Sequence, residues 1–297
     1  VEIVDEVLPG VIAGHNFGIL AENERLKATL FLLVETIRQS ALAITRQIRA
    51  GSFEPVYTEA RFGPGEPFPA IQLALEDGSE AFIKGKIDRI DRANTQGRTL
   101  TRVVDYKTGG RDFDFAGVLE GLTLQLPLYL MAASGNAEVR AGLYYMPVSQ
   151  PAVSDAEEDV EGAVADAFRL QGLTLSDAAV VRASDNHIES DSSVLYKVRA
   201  AGEDSYSGSV CSKAEMDLLI RAAKQTSEKT FAHMMEGDMR ASPAARRKNS
   251  PACKYCDYKS VCRFDPKTPG CTVRLYRTVK QEEFFKLIGG DADAMDR

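Results

Sequence analysis

The chain has 297 residues, of which 44% are hydrophobic and 27% charged, and its formal net charge is −7. That is an ordinary make-up for a globular protein of one large domain or two modest ones. The acidic balance argues against a generic nucleic-acid-coating protein, which is usually basic, but not against a nuclease, whose metal-ligating and surface acids both count. No uninterrupted apolar run approaches the roughly 18 residues of a membrane helix. The opening Val1-Glu2-Ile3-Val4-Asp5 has no basic n-region, so neither membrane insertion nor secretion is expected and the expected compartment is the cytoplasm. The missing initiator Met fits a fragment of a longer polypeptide.

Residues 1–20 carry no decisive pattern, and His15, in Gly14-His15-Asn16, reads as a solvated turn histidine. Over residues 22–50, Leu26, Leu30, Leu33, Ile37, Ala41, Ile44 and Ile48 recur at three- and four-residue steps, which predicts a long core-packing helix stopped by Gly51. Residues 53–62 then open a sheet. Glu59 within them is either an exposed strand residue or a further carboxylate for the site described below. Pro64 to Pro69 form a loop. Ile71 to Leu75 alternate as a strand, and Asp77-Gly78 turns the chain into the strand that carries Asp88.

Two runs dominate the next stretch: Gly85-Lys86-Ile87-Asp88-Arg89-Ile90-Asp91 and Val103-Val104-Asp105-Tyr106-Lys107-Thr108. Turn-formers separate them at Ala93 to Arg98, so they read as a β-hairpin. A hairpin symmetric about residues 96 and 97 sets Asp88 directly across from Asp105, with Lys107 on the same face. Opposed carboxylates destabilise a ladder unless a cation lies between them, and hard divalent ions such as Mg²⁺ take such oxygen ligands. Otherwise the two acids are solvated strand residues balanced by Arg89, Arg102 or Lys107.

A helix is predicted over about residues 114–133, with Leu119, Leu122, Leu126 and Leu130 as its stripe and a kink at Pro127. Gln125 and Tyr129, four apart, share one face. A buried strand follows at 141–148, then an acidic run over 150–164. Another strand is expected at Val194 to Arg199, and His187 receives no role. Ser212-Lys213-Ala214-Glu215 is a capping box opening a helix to Met235, with Met216, Leu219, Ile220, Ala223, Phe231 and Met235 on its buried side. Cys211, just before it, reads as a structural thiol.

Of five cysteines, three fall in Cys253-x2-Cys256-x5-Cys262, beside Lys254, Tyr255, Tyr258, Lys259 and Arg263. In a reducing compartment this reads as a metal site, not a disulfide framework. The spacing suits an iron–sulfur cluster or tetrahedral Zn²⁺. Both usually take four ligands, and the fourth is either Cys271 or a residue outside this chain. No P-loop pattern occurs, so ATP use would belong elsewhere.

The order Asp88…Asp105-x-Lys107 resembles the core of the PD-(D/E)XK nuclease superfamily. The longer string from Gly85, with Gln125-x-x-x-Tyr129, resembles its RecB-type branch, and the cysteine tail is similar to the iron–sulfur nuclease domains of the AddB family. The resemblance implies an α/β, restriction-endonuclease-like core with a mixed central sheet flanked by helices. It divides the chain into an N-terminal helical segment (1–52), the core (53–240) and a Cys-rich tail (241–297). It further implies a Mg²⁺- or Mn²⁺-dependent deoxyribonuclease, of exonuclease type, in double-strand-break repair. Asp88, Asp105 and the Tyr106 carbonyl would be metal ligands, Lys107 would assist, and Gln125 and Tyr129 would hold the strand. Cys253, Cys256 and Cys262 would serve a [4Fe–4S] cluster that is incomplete in this chain. The implied partners are single-stranded DNA and an AddA-type subunit. The competing reading is a catalytically silent DNA-binding or assembly module stapled by Fe–S or Zn.

Overall fold

A computed structural model of the chain describes residues 2–14, 24–75, 78–109, 112–148, 160–188, 192–193, 195–238, 240–246, 253 and 256–295. In chain order these form α1 (Glu2–Gly14), α2 (Glu24–Arg49), β1 (Glu54–Phe62), β2 (Ile71–Ala74), β3 (Glu80–Ile83), β4 (Gly85–Thr95), β5 (Arg98–Lys107), α3 (Phe115–Leu119) and α4 (Gln125–Ala133). There follow β6 (Val139–Pro147), α5 (Val160–Ala167), β7 (Gln171–Leu175), α6 (Ala178–Ser184), β8 (Val198–Gly202), β9 (Ser205–Gly208), β10 (Val210–Cys211) and α7 (Lys213–Met235). The last elements are β11 (Ala244–Ala245), α8 (Lys259–Cys262), β12 (Arg274–Leu275) and α9 (Gln281–Met295). His15, the acidic residues up to 159, Val194, Lys254 and Tyr255 lie outside the described residues.

The chain divides discontinuously into two units. The first comprises Val1–Ala60, Lys86–Phe113 and Ala133–Lys213; the second comprises Arg61–Gly85, Asp114–Ala132 and Ala214–Arg297. The first holds the central sheet, six strands in the order β1-β4-β5-β6-β7-β10. β4 and β5 are antiparallel, β5 and β6 parallel, β6 and β7 antiparallel, and β7 and β10 parallel. This is the mixed sheet that the sequence leads one to expect. The parallel β5–β6 pair requires a long connection, which is where α3 and α4 fall in the chain.

The back of the sheet is closed by an apolar cluster of Val104, Tyr144, Met146, Phe168, Leu170, Val181, Ile188, Tyr196 and Val198, against which Ala43 and Ile44 of α2 pack. Burial pushes the Tyr144 phenol up to about 12, and its hydroxyl is satisfied by Thr174 at 2.7 Å. After α2, Gly51 passes so close to the last turn of α6 that a Cβ would lie 2.1 Å from the Ala183 carbonyl oxygen, which is why the stop is a glycine. Asp177 caps α6 by accepting from the amides of Ala179 and Val180. The Arg98 guanidinium beside it holds its carboxyl below the usual range.

Several expectations are corrected. Residues 2–14, without a decisive pattern in the sequence, are helical. The α2 stripe is only half-buried, and Phe31, Leu32 and Leu33 are exposed. One 18-residue window within Arg25–Arg49 of α2 is long and apolar enough to cross a membrane by length and composition alone, although Glu35 and Arg38 interrupt it. The strand leading to Asp88 is two strands: β3 pairs with β2, and β4 starts afresh at Gly85 in the central sheet. The helix expected over 114–133 is broken. α3 ends at Leu119, and Gly121 (φ +73°) turns the chain before α4 begins. Pro127 then falls in the first turn of α4, where its missing N–H has no helical partner to lose, so no kink is needed. Leu126 and Leu130 are buried, but Leu119 and Leu122, outside α4, are exposed. The late strand lies at β8, beyond Tyr196, which only bridges to Leu170. α7 matches its expected ends and buries Met216, Leu219, Ile220 and Ala223, whereas Met235 is exposed at the last turn.

Within β4 and β5 the back face carries charge as well as hydrocarbon. Arg89, Asp91 and Arg102 are 1%, 0% and 2% exposed. Asp91 takes Arg89 Nε at 2.9 Å and Arg102 Nε at 2.9 Å, and Arg102 stacks 4.3 Å above the Phe53 ring. Removing one member of a buried ion pair strands the others without water. Asp91→Ala is therefore expected to destabilise the fold by about 3–5 kcal/mol, read as a lowered urea midpoint at unchanged slope.

Candidate active site on the β4–β5 hairpin

The site starts from strand register. β4 and β5 pair Arg89 with Val104, Ile90 with Val103 and Asp91 with Arg102. The ladder stops there; Asp88 and Asp105, the pair the symmetric hairpin predicts, are the next residue on each strand, and the Tyr106 amide turns to the Asp88 side chain. Gln96 (φ +51°) and Gly97 (φ +72°) make the turn that fixes this register, since left-handed conformations at both central positions match the twist of the strands. Alternation then puts Asp88, Asp105 and Lys107 on one face, and Arg89, Asp91 and Tyr106 on the other.

Asp105 is 1% exposed, and its Oδ2 lies 2.5 Å from Lys107 Nζ. The same ammonium sits 5.5 Å from the centre of the Tyr145 ring, and Tyr145 is the β6 partner of Asp105. Asp88 is half-buried, and its Oδ2 accepts the Tyr106 main-chain amide at 3.0 Å. The two carboxylates and one ammonium leave a formal charge of −1 on this face. Of the counter-charges that the solvated-acid alternative names, Lys107 does pair with Asp105, whereas Arg89 and Arg102 are turned to the back and meet Asp91.

Glu59 stands on β1 in a left-handed conformation (φ +53°), which costs a non-glycine residue strain. Its carboxylate is ion-paired with Lys86, which shares the Asp88 face of β4 by alternation. Gln125 and Tyr129 belong to the second unit. They do share a face of α4: Gln125 Nε2 donates to the Tyr129 hydroxyl at 3.0 Å, and the Tyr129 ring meets Phe62 edge-on at 5.8 Å.

The cysteines are not gathered. None of the five is in a disulfide; Cys211 is buried, Cys253 and Cys271 are half-buried, and Cys256 and Cys262 are exposed. Cys256 N–H donates to the Cys253 carbonyl at 3.4 Å, and Cys262 closes the single turn of α8. Among the described residues no three His, Cys, Asp or Glu side chains form a group that would hold a metal ion by themselves. For an iron–sulfur or zinc centre, which draws its ligands from protein side chains, that is an incomplete set. For a hard divalent ion it is not, because such an ion is held by one or two carboxylates, with water and substrate phosphate completing its shell. Asp88, Asp105 and the Tyr106 carbonyl offer such an all-oxygen donor set.

A mixed sheet whose central hairpin presents Asp…Asp-x-Lys on one face defines a nuclease of the PD-(D/E)XK class. A model of the PD-(D/E)XK nuclease superfamily matches residues 1–263, and the chain belongs to that superfamily. It is 31% identical to AddB, an ATP-dependent helicase/deoxyribonuclease subunit, of Acetivibrio thermocellus, over 98% of this chain and 26% of that protein. The same-named protein of Clostridium acetobutylicum is 30% identical over 97% of this chain and 26% of its own length. The chain thus spans about a quarter of the length of the curated relatives it matches.

The sequence did not single out the arginine behind the hairpin or the tyrosine hydroxyl that it meets. Arg89 stands in the same motif as Asp88 but reads there as a counter-charge, Asp91 receives no role, and only the alternation of faces shows that both point away from Asp88. If the front-face carboxylates repel, neutralising one should help the fold. Asp88→Asn keeps an acceptor for the Tyr106 amide. In EDTA it is expected to raise Tm by about 2–4 °C, the shift that roughly 1 kcal/mol produces in a domain of this size, as measured by calorimetry.

Proposed function

We propose that the chain is the metal-dependent DNA-cleaving part of a helicase–nuclease of the AddAB type, an exonuclease working in the cytoplasm on single strands released during double-strand-break repair, alongside an AddA-type subunit. The observation that carries this reading is the meeting of Asp88, Asp105 and Lys107 on one face of the hairpin, in a chain of a nuclease superfamily. The deoxyribonuclease name of the relatives supports DNA as the substrate.

Asp88, Asp105 and the Tyr106 carbonyl would hold Mg²⁺ or Mn²⁺. When bound, such an ion lowers the pKa of a ligated water and offsets charge on the scissile phosphate. Asp105, fixed by its ion pair to Lys107, brings a buried carboxylate to that place. Lys107 carries a cation within reach of any anion on the same face, where it orients the attacking water or steadies charge on the phosphorus oxygens as the bond breaks. In this reading Glu59, ion-paired with Lys86, would be a further carboxylate. The resemblance gives Gln125 and Tyr129 the task of holding the strand. Cys253, Cys256 and Cys262 would join an iron–sulfur cluster completed by Cys271 or by a ligand outside this chain, and their spacing supports this; the centre would staple the tail without redox chemistry.

Cleavage of a labelled single-stranded oligonucleotide in Mg²⁺ tests the reading. Asp105→Ala is expected to abolish it, and Lys107→Ala to cut kcat by about 10²–10³, the usual cost of losing one electrostatic contact to a developing anion. Cleavage indifferent to both substitutions would leave the silent assembly module as the better account. Metal analysis with a visible spectrum decides between iron and zinc at the cysteines: bound iron with broad visible absorbance is expected, and a colourless zinc protein would refute the cluster.

A further inference from the structure

Arg89 makes more contacts than charge balance requires. Asp91 is already met by Arg102 at 2.9 Å, so Arg89 adds a second buried cation to a single buried anion, an arrangement that costs desolvation. Its remaining contacts show where the cation is used. Nη2 donates to Gln47 Oε1 of α2 at 3.3 Å, and Nη1 donates to the Tyr106 hydroxyl at 3.2 Å. Tyr106 is the residue between Asp105 and Lys107, and its main-chain amide donates to Asp88 Oδ2 at 3.0 Å. The same residue is therefore gripped twice, by its hydroxyl on the back of the sheet and by its amide on the front.

From these contacts we propose that Arg89 is a positioning residue for cation binding. Working through the Tyr106 hydroxyl, it fixes the main chain between the two carboxylates, and with it the Tyr106 carbonyl and the Asp88 side chain, in the arrangement a divalent ion needs. Gln47 and Asp91 hold the guanidinium in turn. The contact series runs from α2 through the sheet, Gln47 to Arg89 to Tyr106 to Asp88. The last strand residues before Lys107 otherwise lie where the chain leaves the sheet, and a ligand set at a strand end needs such support to stay in place. The sequence motif acquires a division of labour: Asp88 faces the ion, while Arg89 and Asp91 hold its neighbour from behind. This rests on the metal reading above.

The test measures Mn²⁺ affinity by titration calorimetry without DNA, on the parent chain, Tyr106→Phe, Arg89→Lys, the double variant and Asp105→Ala. Tyr106→Phe removes one hydroxyl, keeps the carbonyl and the amide, and leaves the Arg89–Asp91 pair intact. It is expected to bind Mn²⁺ about tenfold more weakly, in the range lost with a supporting partner of a metal ligand, at a circular-dichroism spectrum matching the parent. The double variant is expected to be no weaker than Arg89→Lys alone, because the two residues act through one contact. Should Arg89→Lys fail to fold, the Tyr106→Phe measurement still decides. Parent-like affinity in Tyr106→Phe, with binding lost in Asp105→Ala, would reduce Arg89 to a structural ion pair. Parent-like affinity in Asp105→Ala would instead sink the metal reading itself, and the positioning role with it.

Discussion

Two carboxylates brought to the same face at the end of an antiparallel ladder repel, and the hairpin of β4 and β5, paired as far as Arg89 and Val104, places Asp88 and Asp105 as the next residue on each strand. Nothing on the front face forces them together. The register does, and the register is set by a turn at Gln96 and Gly97 and by an apolar back that would be exposed by any one-residue slip. Such a slip would also turn Arg89, Asp91 and Arg102 out of their buried places. The energy that confines the acids is therefore supplied by hydrocarbon and by a buried ion triad on the other side of the same strands.

The two faces divide the charges of one short motif between tasks. On the front, Asp88, Asp105 and Lys107 carry a net negative charge, which the proposed function gives to a divalent ion. On the back, Asp91 is shared by two guanidiniums, one of them over the Phe53 ring. Tyr106 links the two sides through one residue's hydroxyl and amide. The superfamily to which the chain belongs gives the front face its class of reaction. Mg²⁺, the DNA strand and an AddA-type partner are parts of the proposed function, since the relatives are about four times as long as this chain.

Much of the architecture was legible because the signals were local. The 3.6-residue spacing of α2, the capping box of α7, the β-rich run of β5, the continuous apolar run of β6 and the turn at residues 96 and 97 each specify an element without help from distant residues, and the hairpin register follows from its turn. What the sequence misplaced depended on non-local packing. α1 carries no decisive periodicity. α2 buries its stripe only in part, because a helix of 26 residues, about 39 Å long, has more length than its second half uses against the sheet. The break at Gly121 outranked the more conspicuous Pro127, since a proline costs little in a first turn. The cysteine spacing stood out in sequence, yet the thiols do not converge among the described residues.

The order of residues determined that β4 and β5 form a hairpin and that Asp88, Asp105 and Lys107 share a face, because side chains alternate along a strand and a two-residue turn leaves little freedom of pairing. Tertiary structure alone decided what lies behind that face. Whether Arg89 balances the acids or braces their neighbour depends on which side of the sheet is covered by Gln47 and the back-face cluster, residues dozens of positions away in the chain. Burial is a property of the assembled layers, and only there does a charged side chain acquire a partner it cannot exchange for water.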